Sequence, residues 1–141
     1  MYITTEDYDK AIYPEIRQAI SRNSIQYAEH QINIALALIQ AKLSARYDIL
    51  GEFAKIKEQR NFLLVSVAKD IAIYYLYDTQ ESIPDHRTKK FDDAMEFLSD
   101  LAAGKATLAG VPAAPPVTDP TLAIRGNMAF GSEKKRNNKI S

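Results

Sequence analysis

The sequence predicts an all-α protein: a small helical bundle of three main helices, with one or two short N-terminal helices and an extended C-terminal arm that forms a short strand or hairpin. Three observations carry this. From Ile25 to Leu101 apolar residues recur at spacings of three and four, the period of amphipathic helices. Only Pro14 and Pro84 precede Gly104, whereas Pro112, Pro115, Pro116 and Pro120 crowd the stretch after it; proline lacks the amide donor that a helix interior requires. The 141 residues suit one domain, and the part up to Gly104 can bury a modest core of three or four helices. The expected organisation is a helical body at 1–104 and an arm at 105–141.

The first element begins at Thr4 or Thr5, ahead of Glu6 and Asp7, because a hydroxyl can cap free amides while carboxylates favour the positive end of the helix dipole. Pro14 ends that helix or opens the next, which is expected to run to Ser21. Arg22-Asn23-Ser24 reads as a turn with a capping residue, followed by a helix from Ile25 to about Tyr47. On this helix Ile25, Ala28, Ile32, Leu36, Ile39 and Leu43 form one stripe, and Ile34, Leu38, Ala41 and Ala45 form another. Two apolar sides imply a helix sandwiched between elements or facing another subunit.

Asp48-Ile49-Leu50-Gly51 reads as a break before a helix from about Glu58 to Tyr77, dense in Phe62, Leu63, Val65, Val67, Ile71 and Leu76. Ile83-Pro84-Asp85 supplies a stop and a new cap. Phe91, Ala94, Met95, Leu98 and Leu101 then give one narrow stripe, with Lys89, Asp92, Asp93, Glu96 and Asp100 facing away, so this helix packs on the outside of the body. Gly104 suits a left-handed stop. In the arm, Leu122, Ile124, Met128 and Phe130 alternate around Gly126-Asn127, the pattern of a short strand or hairpin. Burying these side chains contributes roughly 1.5–3 kcal/mol each, close to the cost of ordering about ten residues. They are the expected docking residues of the arm, on a partner that supplies the missing contacts.

Formal net charge is zero, yet residues 1–104 carry 12 Lys and Arg against 16 Asp and Glu, leaving the remainder positive. That asymmetry lets the arm of one copy approach the body of another or an acidic partner, and is too weak to imply nucleic acid. The absence of Cys excludes disulfides and thiolate metal sites and fits an intracellular origin. The acidic opening MYITTEDYDK has no signal-peptide character, and Asn33, Gln40, Lys69 and Asp70 interrupt the apolar stretches too soon for a membrane span.

No catalytic, cofactor-binding or metal-ligating residues are expected. His30 and His86 stand alone, and a lone helical His is more often solvated or packed than catalytic. Asp92, Asp93, Glu96 and Asp100 read as a solvated acidic face, because bundle metal sites draw such residues, with His, from several facing helices. There is no glycine-rich phosphate loop, GxSxG elbow or HExxH. The eight tyrosines, among them Tyr74, Tyr75 and Tyr77, lack the interleaved basic residues of a base-stacking platform and fit core or subunit contact. Lys134-Lys135-Arg136 with Lys139 is the single basic cluster. It reads as a solubilising end, with contact to DNA phosphates or an acidic protein surface as the alternative.

The opening MYITTEDY, the helix ending Ala41-Lys42-Leu43-Ser44-Ala45-Arg46-Tyr47, the segment from Val67 to Leu76 (VAKDIAIYYL), and Phe91 to Leu98 (FDDAMEFL) through Ala103-Gly104-Lys105 together resemble a family encoded among the head and tail genes of Mu-like phages and prophages. That family is similar in character to phage head-to-tail connector adaptors. Two features depart from the family pattern: Ile49-Leu50-Gly51 stands where a Leu-Pro pair is usual, and the arm is long. The resemblance implies a non-enzymatic virion protein, made in the host cytoplasm, that assembles as a dodecameric ring beneath the portal at the neck. The ring extends the DNA channel, passes DNA without sequence-specific binding, and docks the next neck or tail component. Its implied partners are the portal, neighbouring copies and that component, with no membrane. On this view Ile34, Leu38, Arg46 and Tyr47 serve subunit contact, and Asp92, Asp93, Glu96 and Asp100 face the lumen. The alternatives are a neck stopper or tail-completion protein, or a nucleic-acid-binding accessory protein using the basic C-terminus.

Overall fold

The computed structural model describes residues 1–77 and 80–115. Within them the helices are α1 (Thr5–Asp9), α2 (Pro14–Ile20), α3 (Ile25–Leu43), α4 (Ile49–Phe53), α5 (Phe62–Leu76) and α6 (Asp85–Ala103), with a 3-10 turn at Lys57–Gln59 before α5. The all-α reading is correct, and among the described residues the sole β pairing is an isolated antiparallel bridge between Tyr47 and Ala113.

Local chemistry sets most of the boundaries. The Thr4 amide donates to Asp7 Oδ2 at 2.8 Å and starts α1. Arg22 and Asn23 both adopt left-handed backbone, with φ of 55° and 60°, and Ser24 then caps α3 by accepting from the Tyr27 amide at 3.1 Å. Asn61 caps α5 through the Leu64 amide at 3.0 Å. At the end of α6, Gly104 has φ 82°. The Lys105 amide donates to Asp100 O and the Gly104 amide to Leu101 O, the paired closure of a Schellman stop.

Three boundaries differ from the sequence reading. Helix α3 ends at Leu43 rather than Tyr47, and α5 starts at Phe62 rather than near Glu58. The stretch 48–51, read as a break, instead opens α4, because Asp48 accepts from the Gly51 amide at 3.1 Å and caps a short turn of helix.

The core lies between α3, α5 and α6, which pack pairwise, with α1 laid on α3 and α5. Ile32, Ile39 and Leu43 meet Leu64, Ile71 and Leu76 there, and Leu98 and Leu101 close the third side. As expected, α6 buries a single stripe, Ala94, Leu98 and Leu101. Tyr8 is fully buried and its hydroxyl donates to Ala28 O at 2.8 Å. On α3 the buried face is Ala28, Gln31, Ile32, Ala35, Ile39 and Leu43. The first stripe is thus shifted slightly, leaving Ile25 exposed.

Beyond Gly104 the chain does not leave the body at once. Leu108 and Val111 are buried. The Leu108 amide donates to the Tyr47 hydroxyl at 3.2 Å and Asn61 Nδ2 to Ala109 O at 2.9 Å. The Asp48 amide donates to Pro112 O at 2.9 Å, and the Ala114 amide to Arg46 O at 3.0 Å. Residues 105–115 therefore cover the junction of α3 and α4, satisfying backbone groups that α3 and α4 leave unpaired.

A buried polar network joins the N-terminus to the start of α5. Glu52 is 1 % exposed. Its Oε2 accepts from the Tyr2 hydroxyl at 2.6 Å and from the Asn61 amide at 2.5 Å, while Lys55 Nζ lies 3.0 Å from Oε1. Arg60 donates to Tyr2 O at 2.8 Å and to Asp7 Oδ2 at 2.9 Å. Burial alone raises a carboxyl pKa, but these donors outweigh it and hold Asp7 and Glu52 below their ordinary values of 3.8 and 4.5. Burial and the Glu52 carboxylate push the Tyr2 hydroxyl well up, so it remains a donor at neutral pH.

Two outcomes follow for stability. Carboxylates with depressed pKa values contribute stability that is complete above their unfolded values and lost as pH falls through the folded ones, because the unfolded chain takes up protons first. Urea titrations should therefore show the unfolding free energy declining from about pH 5 downward, and Glu52→Gln should flatten part of that slope; an unchanged pH profile in the variant contradicts the assignment. Gly104→Ala places a Cβ 2.7 Å from Arg46 Nη1 in left-handed backbone. It should cost roughly 1–2 kcal/mol in the same assay.

Candidate assembly interface

The residues expected at subunit contacts fall into two groups. Ile34 and Leu38 sit on the outer side of α3, Ile34 36 % exposed and Leu38 half-buried, in line with exposed Ala41 and Ala45. Leu38 also packs against the edge of the core, and among the described residues no further element covers Ile34, Ala41 or Ala45. Arg46 and Tyr47 are engaged internally. Arg46 Nη1 donates to Leu101 O at 2.9 Å, tying the end of α3 to the end of α6, and its guanidinium lies 5.8 Å from the Tyr47 ring. Tyr47 is buried, with its hydroxyl holding the Leu108 amide.

The acidic set lies along one side of α6. Asp92, Asp93 and Glu96 are exposed and Asp100 is half-exposed. Lys89 reaches Asp93 at 3.5 Å, a solvent-screened pair that contributes little. Residues Leu122, Ile124, Met128 and Phe130, and the basic cluster from Lys134 to Lys139, lie outside the described residues.

The tyrosines divide by depth. Tyr2, Tyr8 and Tyr47 are buried, whereas Tyr74 stacks on Phe91 at 4.0 Å between α5 and α6 with Tyr75 edge-on to both. Tyr13 alone is fully exposed, at 73 %. Both histidines are exposed. Among the described residues, no three His, Cys, Asp or Glu side chains converge on a metal-sized site, and no helix is long and apolar enough to cross a membrane.

Sequence reasoning missed a second apolar surface at the start of α5. Phe62 is 72 % and Leu63 56 % exposed, although both look like core residues in an apolar run. The available signal is helical phase: with Ser66 they point away from Leu64, Ala68 and Ile71. Leu63 stands at one end of an open groove of about 260 Å³ between α5 and α6, lined also by Ser66, Val67, Ala94 and Phe97, with Asp70, Lys90 and Asp93 at its other end. Burial raises the Asp70 carboxyl; Lys90, Arg87 and Lys69 oppose this from beyond ion-pair distance. Among the described residues, the exposed apolar side chains of α3 and α5 and the acidic face of α6 are thus available for contact.

Comparison with curated proteins gives no match. The model of the family described as Bacteriophage Mu, Gp36 matches residues 2–124, nearly the whole chain and all of the described helices. The chain belongs to the bacteriophage Mu Gp36 family, and is a phage structural or morphogenesis protein of all-α fold.

Proposed function

We propose that this protein is the head-to-tail adaptor of its phage, a virion component at the neck that forms a ring, dodecameric by analogy with connector adaptors, under the portal. The observation that carries the reading is the pair of unlike apolar surfaces on one small subunit, the Ile34–Leu38 stripe of α3 and the Phe62–Leu63 surface of α5. A closed ring is built from heterologous contacts, in which one patch on each copy meets a different patch on the next. Two such faces, exposed among the described residues, supply the unlike patches that such contacts need.

The acidic side of α6 suits the channel. Asp92, Asp93, Glu96 and Asp100 repel phosphates, so DNA slides past without lodging. Portal protein on one side and the next neck or tail protein on the other are the partners of such a ring, and no catalytic role is assigned to any residue. The same surfaces serve a stopper or tail-completion protein one layer lower, and the portal distinguishes the two.

Native mass spectrometry of the protein alone and mixed with its portal tests the reading. A ring on the portal is expected, and a chain that stays monomeric and ignores the portal overturns it. Leu38→Asp should reduce assembly by at least about tenfold, roughly the 1.4 kcal/mol that a tenfold change represents. Its helical circular dichroism should be unchanged, because the side chain is only half-buried.

A further inference from the structure

The groove between α5 and α6 has a polarity and a fixed side. Leu63, Val67, Ala94 and Phe97 make its apolar part, and Asp70 stands at its other end with Lys90 and Asp93. Because α3, α5 and α6 pack pairwise, the three stand at the corners of a triangle, and the groove opens on the side turned away from α3. No residue of α3 lines it. The chain's own α3 therefore cannot fill this groove, whereas the α3 of a second copy can reach it from outside.

The outer side of α3 offers a matching ridge. Ile34, Leu38 and Lys42 follow one another at steps of four, the kind of side-chain row that helices seat in each other's grooves. Ile34 is 36 % exposed, and Leu38 and Lys42 are half-buried. The chain carries no carboxylate between Glu29 and Asp48, and among the described residues Lys42 makes no ion pair.

Asp70 is the counterpart in the groove. It is half-buried, and among the described residues its carboxylate makes no ion pair or hydrogen bond. Burial raises its pKa, since Lys90, Arg87 and Lys69 stay beyond ion-pair distance. Asp93, the other carboxylate of the groove, is already paired with Lys89. Spacing agrees as well: Ile34 to Lys42 spans about 12 Å of helix and Leu63 to Asp70 about 10 Å. With the two helices running in the same direction, Ile34 meets Leu63, Leu38 meets Val67 beside Ser66, and Lys42 arrives at Asp70. The opposite direction sets Lys42 against Leu63 and Ile34 against Asp70, which leaves Asp70 without its cation.

We propose that α3 of one copy lies along the α5–α6 groove of the next, parallel to α5, with Ile34 and Leu38 on Leu63 and Val67 and with Lys42 paired to Asp70. This contact rests on the ring proposed above and deepens it, naming the two patches that meet and the direction in which they run. Ridge and groove belong to different parts of each copy, so the contact is head-to-tail and passes from one copy to the next.

The absence of native cysteine allows disulfide trapping. In the full-length protein Leu38→Cys and Ser66→Cys are combined in one chain and oxidised, both free at high concentration and assembled with the portal. A covalent ladder beyond the dimer is expected, because every copy then offers both halves of the contact; either single variant stops at a dimer. Gln18→Cys on exposed α2 surface with the same Ser66→Cys is the control and should yield little ladder. At low salt Lys42→Glu should slow the ladder about threefold or more, and so should Asp70→Lys, because like charges then face each other. The two reversals together should restore the rate. Circular dichroism should be unchanged throughout the charge series, since neither side chain has an ion-pair partner within the chain. No ladder in either setting, a ladder no faster than the control, indifference to the charge reversals, or a double reversal that fails to restore the rate each overturns the proposal. A ring on the portal by native mass spectrometry without the ladder sinks this contact and leaves the ring standing; the ladder without a ring on the portal does the reverse.

Discussion

A single buried carboxylate sets the layout of this molecule. Glu52 collects the hydroxyl of Tyr2, the backbone amide of Asn61 and the ammonium of Lys55 at one point within the fold. A carboxylate taken out of water is costly unless its lone pairs are met, so the three partners are fixed as tightly as the charge is. Tyr2 brings the N-terminal segment with it, seating Ile3 and Tyr8 in the core. Asn61 is the cap of α5, so the start of the most apolar helix is placed by the same group.

From Asn61 the constraint passes outward. Its side-chain amide holds Ala109 O while its carbonyl oxygen caps α5. One residue therefore positions both a core helix and the chain returning from α6. Tyr47 does the equivalent at the end of α3, presenting its ring to the core and its hydroxyl to the Leu108 amide. The exposed Phe62 and Leu63 follow Asn61 directly. Their outward direction is thus a consequence of where the cap sits, not of a flaw in packing.

Most of the fold was legible in the sequence because most of it is periodic or capped. The stripe of α6, the turn at Arg22-Asn23-Ser24 and the stop at Gly104 each have a local cause that neighbouring residues display. What escaped reading is long-range or solitary. Tyr2 and Glu52 lie fifty residues apart, and Asp7 and Arg60 fifty-three; no spacing rule announces such pairs. Leu108 and Val111 are isolated apolar residues among alanine, glycine and proline, so nothing marks them as buried. At the candidate interface, the α3 stripe was visible as a second helical face. The α5 surface was hidden, since Phe62 and Leu63 sit in an unbroken apolar run whose phase becomes clear only once the cap at Asn61 is known.

The return of residues 105–115 bears on how an extension could be used. Ordering a tether costs entropy when it finally binds, and each residue already fixed removes part of that cost. Here the Tyr47–Ala113 bridge fixes the chain up to the point of departure, yet it cannot lengthen into a strand pair: Pro115 and Pro116 have no amide to donate, so the ladder ends where it starts. The bridge therefore stays a single pair, and its role is to seal the end of α3 rather than to found a sheet.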